Sequence, residues 1–522
     1  MKNKKYTLTA AASTLFIGGL LLSGCTSTAS TSDVGSTVTS TSAFTTGTVA
    51  AEVLAANANS TTVNDDEWTM DGAVTVTLEG ATASADGDGV QVDGSTVTIS
   101  AVGTYVLTGQ FDGQVVVDTA QAGVVALVLD GAMISSTTSA AIAVLSADDV
   151  VVSLNGTSFL SSTGDDEEAN AALFSDADLT ISGNGSLTVT SSANDGITSH
   201  DDLVVLSGTI AVTAGDDGLR GKDSLTIEGG DITVNAGGDA LKSDDESDET
   251  RGFILISGGT LDLVAGDDGV QAQTDLVITG GSTSLSAADD GLKSEVNLVI
   301  AGGSTTVESS YEGVESYYVT IEGGDLDVTA SDDGINATSG TSTTTDIGGV
   351  VEEDDGAWVT ISGGQTTVNA EGDGIDSNGS ALIVGGTTTV FGSSSDREGA
   401  LDTNGSLVVD GGTVLAVGTT GMAVSPNASS AQGWLSAALD QTYGAGESVQ
   451  VLDDSGAMIA EFTSVKSFQS VVLSDSDLVK GATYTVTVGG QNAGSVTAGE
   501  AAAGGEQGGG PGGGVGGPPA RP

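Results

Sequence analysis

The sequence predicts an all-β chain: a single-stranded parallel β-helix with coils of about 22 residues and a small C-terminal β cap. Three observations carry this. First, a turn of the type Asp-Gly-apolar recurs at Asp195-Gly196-Ile197, Asp217-Gly218-Leu219, Asp268-Gly269-Val270, Asp290-Gly291-Leu292, Asp333-Gly334-Ile335 and Asp373-Gly374-Ile375. Degenerate copies stand at Asp239-Ala240-Leu241, Glu312-Gly313-Val314 and Gly399-Ala400-Leu401, and the steps from Gly196 are 22, 22, 29, 22, 22, 21, 40 and about 26 residues. Second, between the turns runs a phrase such as LTIEGGDITVNA (Leu225 to Ala236), two short alternating strands around a Gly-Gly break. Third, the apolar spacing is two, which is the period of a strand and not of a helix. A unit this short cannot bury its own apolar face, so it must stack on its neighbours, and an array of small sandwiches is disfavoured.

Taken in order, the chain opens with Lys2, Lys4 and Lys5, then an apolar run that ends in Leu22-Ser23-Gly24-Cys25. That pattern resembles a bacterial lipoprotein signal over 1–25, with Cys25 as the lipidated residue. It implies export and a lipid anchor on the outer face of a bacterial membrane. Cys25 is the one cysteine, so no intramolecular disulfide is available. Residues 26–63 are rich in Ser, Thr and Ala and read as a flexible tether. Residues 64–190 hold looser β runs, read as the first coils and their cap, because terminal repeats shield the end of the core. Residues 191–412 are the regular Asp-Gly coils, with loops thrown out at Asp244–Arg251 and Thr338–Asp355 where the step lengthens. Residues 413–495 keep strand-like runs without the period, a C-terminal cap or subdomain, and 496–522 form a Gly/Pro-rich tail expected to be disordered.

Seventy-one acids against twelve bases give a formal charge of −59. This argues against nucleic acid and anionic membrane surfaces as partners. Much of the acidity falls on the turns. Equivalent residues of stacked coils lie about 4.8 Å apart, where two carboxylates repel by roughly 1 kcal/mol in water and about 3.5 kcal/mol at an effective dielectric of 20. A ladder of Asp216, Asp217, Asp239, Asp267, Asp268, Asp289, Asp290, Asp332, Asp333 and Asp373 would accumulate that cost. Divalent cations would reverse its sign, and oxygen-only ligands suit Ca²⁺. His200 is the one histidine, which excludes a zinc cluster. Against the metal reading, Asp-Gly is a good turn dipeptide in its own right, with Gly supplying positive φ. Arg220, Lys242 and Lys293 share one repeat position, two after the turn's Gly or Ala. They form a basic row that would either hold the carboxylates of an acidic polysaccharide or simply neutralise the ladder. Tyr311, Tyr317 and Tyr318 are the one aromatic cluster, and Tyr311 and Tyr317 are taken as candidate sugar contacts.

With these residues in view, the chain resembles a family of bacterial exported carbohydrate-binding domains with a pectate-lyase-like, right-handed parallel β-helix. The resemblance rests on GTYVLTGQFDGQVVVD (Gly103 to Asp118), VVALVLDGAMIS (Val124 to Ser135) and the run from Asp201 to Glu246, and it covers roughly residues 68 to 490. It implies calcium bound by the coils and non-catalytic attachment to cellulose or pectin-type polymers. The chain departs from the pattern at Asp239-Ala240 and in its long acidic loops. The leading expectation is a surface-anchored, Ca²⁺-dependent polysaccharide-binding protein, a monomer and not an enzyme. One alternative is a Ca²⁺-dependent polysaccharide lyase with Lys242 or Lys293 as base; surrounding carboxylates should raise those pKa values, the wrong direction for a base. Another is a structural stalk or adhesin that retains no glycan.

Overall fold

A computed structural model describes residues 48–164, 166–340 and 354–501 together with the pair Glu506–Gln507. Cys25, most of the Thr338–Asp355 insertion and most of the Gly/Pro-rich tail lie outside the described residues. The described chain is almost entirely β and forms a solenoid of stacked parallel strands.

One coil shows the plan. Asp195–Ser199 lies on a first face (C), Asp202–Val205 on a second (A) and Thr209–Thr213 on a third (B); the next coil repeats this with Leu219–Gly221, Ser224–Ile227 and Asp231–Asn235. Each strand pairs in parallel with its equivalents one coil above and below. On face B strict alternation sorts the side chains. In Asp231–Asn235, Ile232 and Val234 point to the core and Asp231, Thr233 and Asn235 to solvent. On face A every residue of a strand such as Asp275–Ile278 is buried, because Leu276 and Ile278 fill the core while Val277 lies under another element. The register Leu225↔Ile254↔Leu276↔Leu298 continues the inner stack, one apolar side chain per coil.

Two kinds of corner close the coil, and glycine serves each differently. At the Gly-Gly corner between A and B, Gly281 takes φ +84°, the left-handed region open to glycine, and a Cβ on Gly280 would sit 2.5 Å from the Ser257 carbonyl oxygen. At the Asp-Gly corner between B and C the expectation of positive φ is overturned: none of Gly196, Gly218, Gly269, Gly291, Gly334 and Gly374 adopts it. Their requirement is space. A Cβ on Gly218 would lie 2.3 Å from Val234 Cγ1 and 2.5 Å from the Ala240 carbonyl oxygen.

The described end of the segment 26–63 is not a free tether. Residues 48–63 run along the outside of face A, with a short helix, Ala50–Ala56. Ala50, Val53 and Leu54 cover Leu255, Val277, Val299 and Ala301, and Val63 covers Ala126 and Val151. Hydrogen bonds tie this strap to the coils at three points: Val63 N–H to Thr180 Oγ1 at 3.0 Å, Thr61 N–H to Asp202 Oδ2 at 2.8 Å, and Ala50 N–H to Glu322 Oε2 at 3.2 Å. The outward apolar residues of face A need such a cover, and composition alone did not reveal that they face outward.

At the N-terminal end the antiparallel hairpin Val90–Asp93 with Thr96–Ile99 caps the face C ladder. The expected boundaries at 190/191 and 412/413 fall inside the strands Ser186–Ser191 and Leu407–Gly418, so the solenoid is continuous across both. Leu407–Gly418 also pairs antiparallel with Phe468–Ser474 of the C-terminal unit. There Phe391, Leu415 and Val417 pack with Leu435, Leu439 and Phe468 in a second core, beside a four-stranded antiparallel sheet.

Candidate functional site along the aspartate ladder

Where the corner between faces B and C reads Asp-Asp-Gly, at Asp216-Asp217, Asp267-Asp268, Asp289-Asp290 and Asp332-Asp333, it places two unlike acids in one coil. The inner one is tucked against the stack. Asp217, Asp239, Asp268 and Asp290 are buried, whereas Asp216 and Asp267 are exposed and Asp289 and Asp332 half-buried. Six of the inner carboxylates, those of Asp195, Asp217, Asp239, Asp268, Asp333 and Asp373, reach to the next coil. Asp195 Oδ1 accepts the Asp217 N–H at 3.2 Å, Asp217 Oδ1 the Asp239 N–H at 2.9 Å, Asp239 Oδ1 the Asp268 N–H at 2.9 Å, and Asp268 Oδ1 the Asp290 N–H at 2.9 Å. Asp333 Oδ1 accepts the Asp373 N–H at 2.6 Å, and Asp373 Oδ1 accepts from Gly399 N–H. Strands hydrogen-bond their own backbone, but a corner leaves donors over, and the carboxylate is the acceptor that meets them. Such charge-assisted bonds contribute about 1.5–3 kcal/mol each.

The second oxygens meet the basic row. The register of face C aligns Thr198, Arg220, Lys242, Gln271, Lys293, Glu315 and Asn336 in one outward column. Lys242 Nζ lies 2.7 Å from Asp239 Oδ2 and 3.2 Å from Asp217 Oδ2. Lys293 Nζ lies 2.6 Å from Asp290 Oδ2, 3.4 Å from Glu315 Oε2 and 3.8 Å from Asp268 Oδ2. Arg220 pairs with Asp244 at 2.7 Å and approaches Asp195 at 3.7 Å. All three bases of the row are thus engaged by carboxylates of the protein.

The electrostatics follow from the count. One ammonium shared by two buried carboxylates cannot neutralise both. Burial and the neighbouring Asp195 and Asp239 charges push Asp217 up to about 7 despite Lys242. Burial likewise pushes Asp268 up to about 7 against the pull of Lys293, and Asp290, buried and hydrogen-bonded to Glu315, up to about 6. Farther along, Glu312 and Asp333 rise to about 7, and Asp373, half-buried, desolvated and beside Asp333 and Asp402, to about 9. For Lys242 and Lys293 burial alone would lower the pKa, but the surrounding carboxylates, Asp217 and Asp290 foremost, outweigh it and raise both.

Inner and outer acids together make oxygen-only groups whose ligand atoms lie within 4.8 Å of one another: Asp195, Asp216 and Asp217; Asp267, Asp268 and Asp289; and Asp290, Glu312 and Glu315. A fourth group, Asp178, Asp201 and Asp202, was not anticipated. It stands at the corner between faces C and A, in a cleft of about 230 Å³ that also takes in Asp223, Arg251 and strap residues Ala58, Asn59 and Thr61. Its signal was a second acidic column at the start of the face A strands, hidden behind the more regular Asp-Gly turns. The tyrosines do not converge. Tyr311 sits at the ladder corner beside Asp332. Tyr317 lies after the face C strand, its ring 4.4 Å from that of Tyr318, and donates to the Asp355 carbonyl oxygen at 3.0 Å. Trp358, unremarked in the sequence, is Tyr318's neighbour in the face A register.

Comparison with known proteins adds the following. A family model described as carbohydrate-binding domain-containing protein matches residues 93–334 and 286–441. A carbohydrate-binding domain-containing protein of Acetivibrio thermocellus is 34% identical over 137 residues, which are 24% of this chain and 48% of that protein. The chain therefore spans about half the length of that relative. A solved structure, the polysaccharide lyase-like protein from C. thermocellum as a gadolinium derivative, aligns with a TM-score of 0.38 at 29% identity, over 49% of this chain and 94% of that one.

Proposed function

The chain belongs to the family of carbohydrate-binding domain-containing proteins, and from that membership we propose a calcium-dependent polysaccharide-binding protein of the pectin/polygalacturonate or cellulose class. In this reading Cys25 carries a lipid that holds it on the outer face of a bacterial membrane, and it acts as a monomer. The coil is taken as right-handed, the sense that strand twist favours in connections between parallel strands.

Family membership is the observation that carries the glycan; the ladder supports the metal. Its donors are carboxylate oxygens alone, the set that suits Ca²⁺. Asp216, Asp267, Asp289 and Asp332 offer the outer oxygens. Asp217, Asp268 and Asp290 offer only what the backbone N–H groups and the lysines leave free. Asp239, Asp333 and Asp373 complete the candidate ligands. Calcium bound there would neutralise the ladder and present open coordination positions to sugar oxygens. Tyr311 and Tyr317, on separate corners, would contact sugar independently. Arg220, Lys242 and Lys293 would act in binding only by exchanging a ladder carboxylate for one on the polymer. The lyase alternative needs a lysine with a lowered pKa, and the carboxylates around Lys242 and Lys293 act the other way.

The test is retention of the chain from residue 48 on insoluble cellulose and on pectate, with Ca²⁺ and then with chelator. Retention that requires Ca²⁺ is the expected result. Retention under both conditions would keep the glycan and remove the metal from binding. No retention under either would sink the proposal in favour of a stalk or adhesin.

A further inference from the structure

Of the three outer faces, two are already occupied. The strap lies along face A, and the outward column of face C is committed to the ion pairs of the ladder. Among the described residues, nothing covers the hydroxyl-rich part of face B. Ten parallel strand segments, from Thr157–Ser162 to the Thr387–Phe391 part of Ser380–Phe391, build a sheet face about 45 Å long at 4.8 Å per coil. Its central outward column runs in register through Phe159, Thr188, Ala211, Thr233, Asp262, Ser284, Thr306 and Asp327. Short hydroxyl side chains predominate on the face and acids interrupt them, with positions spaced by one strand across the coils and by about 6.6 Å along a strand.

Charge and apolar exposure narrow what fits there. The outward charges on these strands are the carboxylates Asp231, Asp262, Glu308, Asp325 and Asp327. No lysine or arginine stands among them, so an anionic polymer would be repelled. Several of the few exposed large apolar side chains among the described residues are here. Phe159, 44% exposed, and Met133, 43% exposed, are register neighbours at the N-terminal end, and Val264 is 46% exposed mid-face. Where this face is apolar throughout, at Phe391, Leu415 and Val417, the C-terminal unit covers it. Where it is hydroxylated it is left bare.

We propose that the outer surface of face B is the docking surface for one uncharged, extended polysaccharide chain lying along the solenoid axis, with Phe159 stacking on a sugar ring at its N-terminal end. This rests on the glycan-binding reading above and narrows it to a neutral polymer on a named face. Such a chain alternates apolar C–H faces with hydroxyl edges, and an extended β-linked hexose chain advances by close to one strand spacing per sugar. Each coil would therefore offer its hydroxyls to successive sugars, and the aromatic end would supply the desolvated contact that hydroxyls alone lack.

The experiment measures affinity for insoluble cellulose and for polygalacturonate in the full chain and in three variants. Thr233→Arg/Ser284→Arg places bulk and charge mid-face, Phe159→Ser removes the ring, and Val479→Arg alters an exposed site on the C-terminal unit. All the altered side chains are exposed or half-exposed, so the fold should be kept. The expected result is cellulose affinity lowered about tenfold by the double variant, equivalent to about 1.4 kcal/mol, a smaller loss with Phe159→Ser, and no change with Val479→Arg. Cellulose binding that is indifferent to both face B variants would overturn the assignment while leaving the family reading intact. So would retention on polygalacturonate alone. Absence of binding to either polymer would overturn both.

Discussion

At the scale of single residues, the ladder combines two opposed effects. Each inner aspartate supplies the acceptor its corner needs, and each adds a charge that burial makes costly. The carboxyl pKa values of Asp217, Asp268, Asp290, Asp333 and Asp373 in the fold lie above the unfolded value, so these groups bind more protons in the native chain than in the unfolded one. Stability is then full near pH 4 and falls as pH rises through about 7, where Asp217, Asp268 and Asp333 ionise, with Asp373 extending the loss to about 9. Melting in chelator should show this decline between pH 5 and 8, and a flat profile would refute it. Lys293→Met should sharpen the same dependence. At pH 8 it leaves Asp268 and Asp290 without their cation, at a cost of about 2–3 kcal/mol, and at pH 5 much of that cost should vanish because both carboxyls hold protons. The positions of these residues were legible from sequence, since a repeat in register must stack its equivalents. The role of the glycine was not: Gly218 is required by the approach of Val234 and Ala240 from other parts of the stack, and no dipeptide rule sees across coils.

Elements were legible wherever alternation was regular. Face B strands such as Asp231–Asn235 follow the two-residue period throughout. Face A strands are buried on both sides, and a continuous apolar run does not say what covers its outer side. The cover is the strap, whose Ser, Thr and Ala content reads as linker until Val53 and Val63 are seen against Val277, Val299 and Val151. Val53→Asp should therefore release the strap. A buried carboxylate against Val277 has no partner in that cluster and opposes docking by at least the lost apolar burial, about 2 kcal/mol. The expected outcome is proteolytic cleavage within residues 48–63 of a chain whose core stays resistant. Unchanged protease resistance there would show that the strap is held by its backbone hydrogen bonds alone.

Across the whole molecule, a formal charge of −59 leaves far more acids than the twelve bases can pair. Repulsion is therefore a global load, screened by salt with a Debye length of about 10 Å at 0.1 M. Thermal stability at pH 8 should rise from 0.05 to 0.5 M NaCl, and millimolar Ca²⁺ should exceed what NaCl of equal ionic strength achieves. Equal effects of the two salts would argue for a salt-adapted surface in place of calcium sites. By itself the sequence determined the coil: the period, the strand alternation, the two glycine corners and the stacking of acids, because a repeat that contacts only its neighbours writes its tertiary contacts into its own spacing. Only the tertiary structure decided which oxygen of each aspartate meets the backbone and which meets Lys242 or Lys293. It alone decided that the strap closes face A and that face B is left bare. Those outcomes depend on side chains from different coils, and on a segment more than a hundred residues away in sequence, meeting in space.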